Sequence, residues 1–106
     1  MLFRSQDAPT IFIQSRKISD LLEIFNAEGF NQVLVEAGPT LGTALLAANL
    51  IDEIVLYQAP KLLGTGTSFI GNLDIKNISN HRSLELLSLT QLGSDIKAHY
   101  RVNGKN

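Results

Sequence analysis

The chain has 106 residues, 44% of them hydrophobic and 18% charged, and nine basic against ten acidic side chains leave a formal charge of −1. That is the size of one domain and the composition of a folded protein rather than a disordered one, and without a Lys/Arg run it has no field to gather nucleic acid. Cysteine is absent, which excludes a disulfide framework and a thiolate metal site and fits a reducing compartment.

From the N-terminus, Met1 to Asp7 lacks the apolar core of a targeting leader. Thr10 to Gln14 is β-branched and aromatic and follows Pro9, so a short strand is expected. Ile18, Leu21, Leu22 and Phe25 then share one face of a helix, with Ser19 as its expected N-cap and Gly29 as its stop. Gln32 to Glu36 reads as a second strand. Pro39 suits the first turn of a helix whose buried stripe is expected at Leu41, Ala44, Leu45 and Ala48. Ile54 to Tyr57 is an unbroken apolar run expected of a strand covered on both faces.

The stretch from Gln32 to Tyr57 is therefore expected to be a βαβ unit with parallel strands and a right-handed crossover. Its apolar run is far short of the ~20 residues of a membrane span, so a cytoplasmic protein is expected. After Pro60, Gly64 to Ser68 and Gly71-Asn72 mark loops. Leu84 to Leu92 and Ile96 to Val102 flank Gly93-Ser94-Asp95, a hairpin signal. Ile96, Ala98, Tyr100 and Val102 should point inward, and Lys97, His99 and Arg101 outward. The expected class is α/β: a mixed sheet with flanking helices, parallel in the middle and ending in an antiparallel hairpin.

One segment could carry chemistry. In Val33-Leu34-Val35-Glu36-Ala37-Gly38-Pro39-Thr40-Leu41-Gly42, an apolar run ends in a carboxylate, turns at glycine and enters a helix. The first-turn N–H groups beyond Pro39 have no intrahelical partner and can meet a phosphate. Thr40 and Thr43 add hydroxyls, and Gly42 inside the helix costs about 1 kcal/mol relative to alanine, which suggests a close approach. Two readings stay open, since G-x-x-x-G is neither a dinucleotide fingerprint nor a Walker loop: ligand binding, or tight helix–sheet packing. Glu36 likewise either meets a substrate hydroxyl or amine, or serves in a local cap or salt bridge. Asp52 and Glu53 read as solvated turn or interface residues, and Gly64 to Thr67 as a mobile loop. His81 and His99 stand too far apart, without cysteine, to suggest zinc; no metal site is expected.

Leu34 to Leu41, Leu50-Ile51-Asp52-Glu53 and Ala59-Pro60-Lys61-Leu62-Leu63-Gly64 resemble successive blocks of the reductase domain of the bacterial bifunctional riboflavin-biosynthesis deaminase/reductase. The resemblance runs from about Pro9 onward and covers the C-terminal half of that domain; residues 1–106 are expected to be this partial reductase domain. It implies a dihydrofolate-reductase-like fold and NADPH-dependent reduction of 5-amino-6-(5-phosphoribosylamino)uracil to the ribitylamino product. By the same resemblance Glu36 would face the substrate, and Gly38, Pro39, Thr40, Leu41, Gly42, Thr43 and Ala44 would cradle the NADPH phosphates. No deaminase domain is expected, because its zinc motif needs cysteines. A fragment of this kind should be inactive alone, and its exposed edges point to a homo-oligomer, a dimer. Two alternatives are a non-catalytic α/β self-association module and a related reductase acting on another pterin or pyrimidine.

Overall fold

The computed structural model describes residues 13, 14 and 17–104. Most of the expected first strand, Thr10 to Phe12, lies outside them. The chain divides into two compact units between Val35 and Glu36. In the first, helix α1 spans Ile18–Glu28. Its apolar spacing produces the helix as expected, but the start comes earlier than Ser19. The Lys17 carbonyl accepts from the N–H groups of Asp20 and Leu21 at 3.2 and 3.4 Å, so Lys17 holds the N-cap position without a side-chain cap. The stop is at Gly29, with φ 74°. Its N–H donates to the Asn26 carbonyl and that of Phe30 to the Phe25 carbonyl, both at 3.1 Å. The Phe25 and Phe30 rings lie 6.0 Å apart and complete a Schellman closure with its hydrophobic contact.

The second unit holds helix α2 (Pro39–Ala47), strands β1 (Glu53–Gln58), β2 (Leu84–Leu92) and β3 (Asp95–Val102), and a 3₁₀ turn at Ile78–Asn80. The strands form one sheet in the order β1-β3-β2, and both ladders are antiparallel. The α/β class and the terminal hairpin stand; the parallel βαβ unit does not form. Gln32 to Glu36 belongs to no strand among the described residues, and β1 pairs instead with β3, Glu53 opposite Arg101 through Gln58 opposite Ile96. A strand exists only through its ladder partners, so an apolar run without one stays irregular.

The hairpin turns at Gly93-Ser94, with Leu92 opposite Asp95 and Gly93 at φ 62°. Glycine at the first central position of a two-residue loop matches the twist of the flanking strands. Between Leu86 and Ser88 the register slips by one residue, leaving Leu87 as a bulge. The slip keeps Leu84, Leu86 and Leu89 on one face, opposite Val102, Tyr100 and Ala98 respectively.

Among the described residues the buried hydrophobics are Leu46, Ala98 and Val102. The inward set on β3 is therefore as expected at its centre, although Ile96 is 41% exposed. Two expectations fail. The run Ile54 to Tyr57 is not covered on both faces, since Val55 and Tyr57 are 42% and 63% exposed. On α2 the buried side chain is Leu46, while Leu41, Ala44 and Ala48 are exposed. Ala and Leu occur all round this helix, so its pattern does not single out a face. We expect Leu46→Ala to cost about 2–5 kcal/mol in urea unfolding, and Leu89→Ala, 63% exposed on the edge strand, to stay within about 0.5 kcal/mol.

Candidate functional site

Helix α2 is built asymmetrically. At its start Gly38 is the N-cap at φ −71° and ψ 178°, Pro39 follows in the first turn, and no side chain caps the end. The first intrahelical bond runs from the Gly42 N–H to the Gly38 carbonyl at 3.1 Å. Thr40 and Leu41, between Pro39 and that bond, carry the N–H groups that a helix leaves unpaired. At its far end the Leu45 and Leu46 carbonyls are both engaged. The Asn49 N–H donates to the Leu46 carbonyl and the Leu50 N–H to the Leu45 carbonyl, both at 3.0 Å, with Asn49 in the left-handed region at φ 59°. Arg82 adds a cation at this negative end, donating to the Leu46 carbonyl at 3.1 Å and to Asn49 Oδ1 at 2.8 Å.

The backbone of Gly38 does not require glycine. Its φ is one that any residue adopts, and a Cβ built there meets nothing within 4 Å. The space beside the two unpaired amides is open, so no part of the chain at Gly38 blocks an anion from reaching them. Glu36 stands two residues earlier, exposed, and among the described residues no hydrogen bond or ion pair engages its carboxylate. Among the described residues, neither the local cap nor the salt bridge that could account for this acid is made.

The remaining expected cradle residues divide. Pro39, Gly42 and Thr43 are partly buried, whereas Thr40, Leu41 and Ala44 are exposed. Gly42 shows no tight packing: a Cβ there would lie 3.8 Å from Ile70 Cδ1, an ordinary contact. Thr43 does make a close approach, to Gly71, whose N–H donates to Thr43 Oγ1 at 2.6 Å. Gly64 to Thr67 is a loop, as expected, with Gly64 at φ 79°. Glu53 faces His99 across the sheet, Oε2 to Nε2 at 3.0 Å, and Arg101 faces Glu85 at 3.4 Å; these are surface pairs of small energetic weight. No group of acidic or histidine side chains suited to a metal occurs among the described residues. Nor is any described helix long and apolar enough to cross a membrane.

An open cavity of about 350 Å³ lies at the other end of α2, lined by Asn49, His81, Arg82, Ser83, Asn103 and Gly104. A nine-residue helix is roughly 13 Å long, so this cavity is separate from the Gly38 end. Sequence spacing gave no sign of Arg82, whose partner Leu46 is 36 residues away. Gly71 was visible only as a turn marker.

Comparison with known proteins bears on this arrangement. The family described as the RibD C-terminal domain matches residues 1–98. The chain is 33% identical over 95 residues to the riboflavin biosynthesis protein RibD of Haemophilus influenzae, covering 89% of this chain and 26% of that one. It is 37% identical over 81 residues to the 5-amino-6-(5-phosphoribosylamino)uracil reductase of Buchnera aphidicola, covering 76% of this chain and 39% of the relative. The solved structure of Acinetobacter baumannii RibD superposes with a TM-score of 0.75 at 32% identity, over 86% of this chain and 26% of that one. The chain thus spans about a quarter of the length of the RibD proteins it matches.

Two substitutions probe the ends of α2. Gly38→Val should fold, with a loss below about 1 kcal/mol in urea titration, since only N-cap preference opposes it. Arg82→Ala should cost about 1–3 kcal/mol by the same measurement, because a charged donor is removed from two acceptors.

Proposed function

The chain belongs to the RibD C-terminal domain family, and from that premise we propose that it forms part of the active site of an NADPH-dependent reductase of riboflavin biosynthesis. The substrate is 5-amino-6-(5-phosphoribosylamino)uracil and the product its ribitylamino counterpart. The observation that carries this reading is the unengaged Glu36 carboxylate directly ahead of the open Gly38 cradle.

The cofactor, when bound, supplies the hydride; the chain supplies binding and orientation. The amides of Thr40 and Leu41 and the positive end of α2 hold a phosphate. The bare Cα of Gly38 lets that phosphate come close to the backbone. Pro39 presets the first turn, and Gly42, Thr43 and Ala44 complete the segment in the turn that follows. Glu36 accepts from a hydroxyl or amine of the substrate, on its ribityl or uracil portion. Residues 1–106 act as a partial reductase domain, inactive until the rest of that domain is in place, in the cytoplasm.

A second reading, self-association, is favoured by a specific surface. Leu84, Leu86 and Leu89 lie on one face of β2 and are 42%, 54% and 63% exposed. An apolar column on an edge strand seeks cover, and a homodimer supplies it.

Three measurements test these readings. Calorimetric titration of the chain with NADPH, up to millimolar concentration, should give saturable heat that Gly38→Val abolishes; no heat from the unsubstituted chain overturns the cofactor assignment. In the complete enzyme Glu36→Gln should lower kcat/KM by about tenfold to a hundredfold, the weight of one charge-assisted hydrogen bond, with little change in Tm. Sedimentation equilibrium should report a dimer that Leu89→Glu converts to monomer, and an unchanged mass in that variant rules out this face.

A further inference from the structure

Thr43 lies in the cradle segment, yet its Oγ1 already has a partner within the chain. It accepts from the Gly71 N–H at 2.6 Å, across 28 residues of sequence. The neighbouring Gly42 faces the same stretch, with Ile70 Cδ1 in ordinary contact range of a Cβ built there. Gly71 is not among the glycines with positive φ, so its backbone does not demand the residue. Its bare Cα has a different cause. A Cβ at Gly71 would come within 3.1 Å of Thr43 Oγ1, tighter than the contact any other glycine of the chain would make.

The segment so attached is the connection that leaves β1 after Gln58 and runs through Gly64 to Gly71. It carries three bare apolar side chains, with Leu62 101%, Leu63 87% and Phe69 61% exposed. Such a loop has little packing of its own to hold one position. Its hydrogen bond to α2 at Gly71 therefore matters. Thr43 follows Thr40 by a single helical turn, so a shift of the amide-bearing turn and a shift of the loop anchor are one movement of a rigid element.

We infer that Thr43 is a positioning residue: its hydroxyl latches the loop ending at Gly71 onto α2 and couples that loop to cofactor binding at the start of the helix. The inference rests on the proposed cofactor role of the Gly38–Ala44 segment. Linkage makes the coupling reciprocal. A cofactor phosphate that orders the first turn of α2 tightens the latch, and releasing the latch weakens the cofactor. Thr43 then acts through the Gly71 amide rather than through a contact of its own with phosphate.

The test uses the full chain and four forms: unsubstituted, Thr43→Val, Thr43→Ser and Gly71→Ala. NMR hydrogen exchange reads the Gly71 amide, with and without NADPH, and calorimetry reads the NADPH dissociation constant. In the unsubstituted chain NADPH should slow exchange at Gly71. Thr43→Val should lose that protection and bind NADPH about fivefold more weakly, the scale of one neutral hydrogen bond, and Thr43→Ser should restore both. Gly71→Ala keeps the Thr43 hydroxyl but pushes it from the loop side, and should weaken NADPH similarly. It also serves if Thr43→Val fails to fold. Full affinity in Gly71→Ala with faster amide exchange overturns the latch, whatever Thr43→Val does. Absence of NADPH binding by the unsubstituted chain overturns the cofactor assignment itself, and the inference with it.

Discussion

β3 is hydrogen-bonded along both edges, and the rest of the second unit takes its position from that strand. β1 and β2 pair with it in antiparallel register, and two further bonds extend the pairing past the strand ends. The Val102 N–H donates to the Asp52 carbonyl at 2.9 Å and the Asn103 N–H to the Ser83 carbonyl at 3.0 Å. These bonds fix the chain where it leaves α2 and where it enters β2. Arg82, next to Ser83, reaches back to Leu46 and Asn49. A continuous path of hydrogen bonds thus runs from the centre of the sheet to the C-terminal end of α2. The N-terminal end of that helix, with Gly38 and its free amides, is held by the same path.

The two ends of α2 are treated differently, and the difference has electrostatic meaning. At the C-terminal end, backbone donors and a guanidinium satisfy the orphan carbonyls and offset the negative pole. At the N-terminal end no side chain and no acidic residue of the first turn offsets the positive pole. A helix closed at one end and open at the other attracts anions at the open one.

The sheet carries a second asymmetry. Its two burial sites on β3, Ala98 and Val102, lie on the same face as Leu84, Leu86 and Leu89, which remain exposed. The bulge at Leu87 aligns this column; without it Leu89 would turn to the opposite side of the sheet. An apolar column kept in line by a bulge, and still bare, is an exposed hydrophobic patch along an edge strand.

The sequence by itself determined what depends on near neighbours. The apolar spacing of α1, its Gly29 stop, Pro39 in the first turn of α2 and the Gly93-Ser94 hairpin are all local effects of side-chain period and backbone freedom, and each is present. The glycine–proline order also marked the start of α2 and with it the unpaired amides of Thr40 and Leu41, which follow from any helix start. Tertiary structure alone decided which partner β1 takes, which side of α2 is buried, and which residues anchor α2 from afar. Ladder pairing depends on the strands available rather than on the run being paired, so an apolar stretch such as Val33 to Val35 does not announce whether it will join a sheet. Leu46, Arg82 and Gly71 owe their roles to groups tens of residues away, and no spacing rule connects them until the chain has folded.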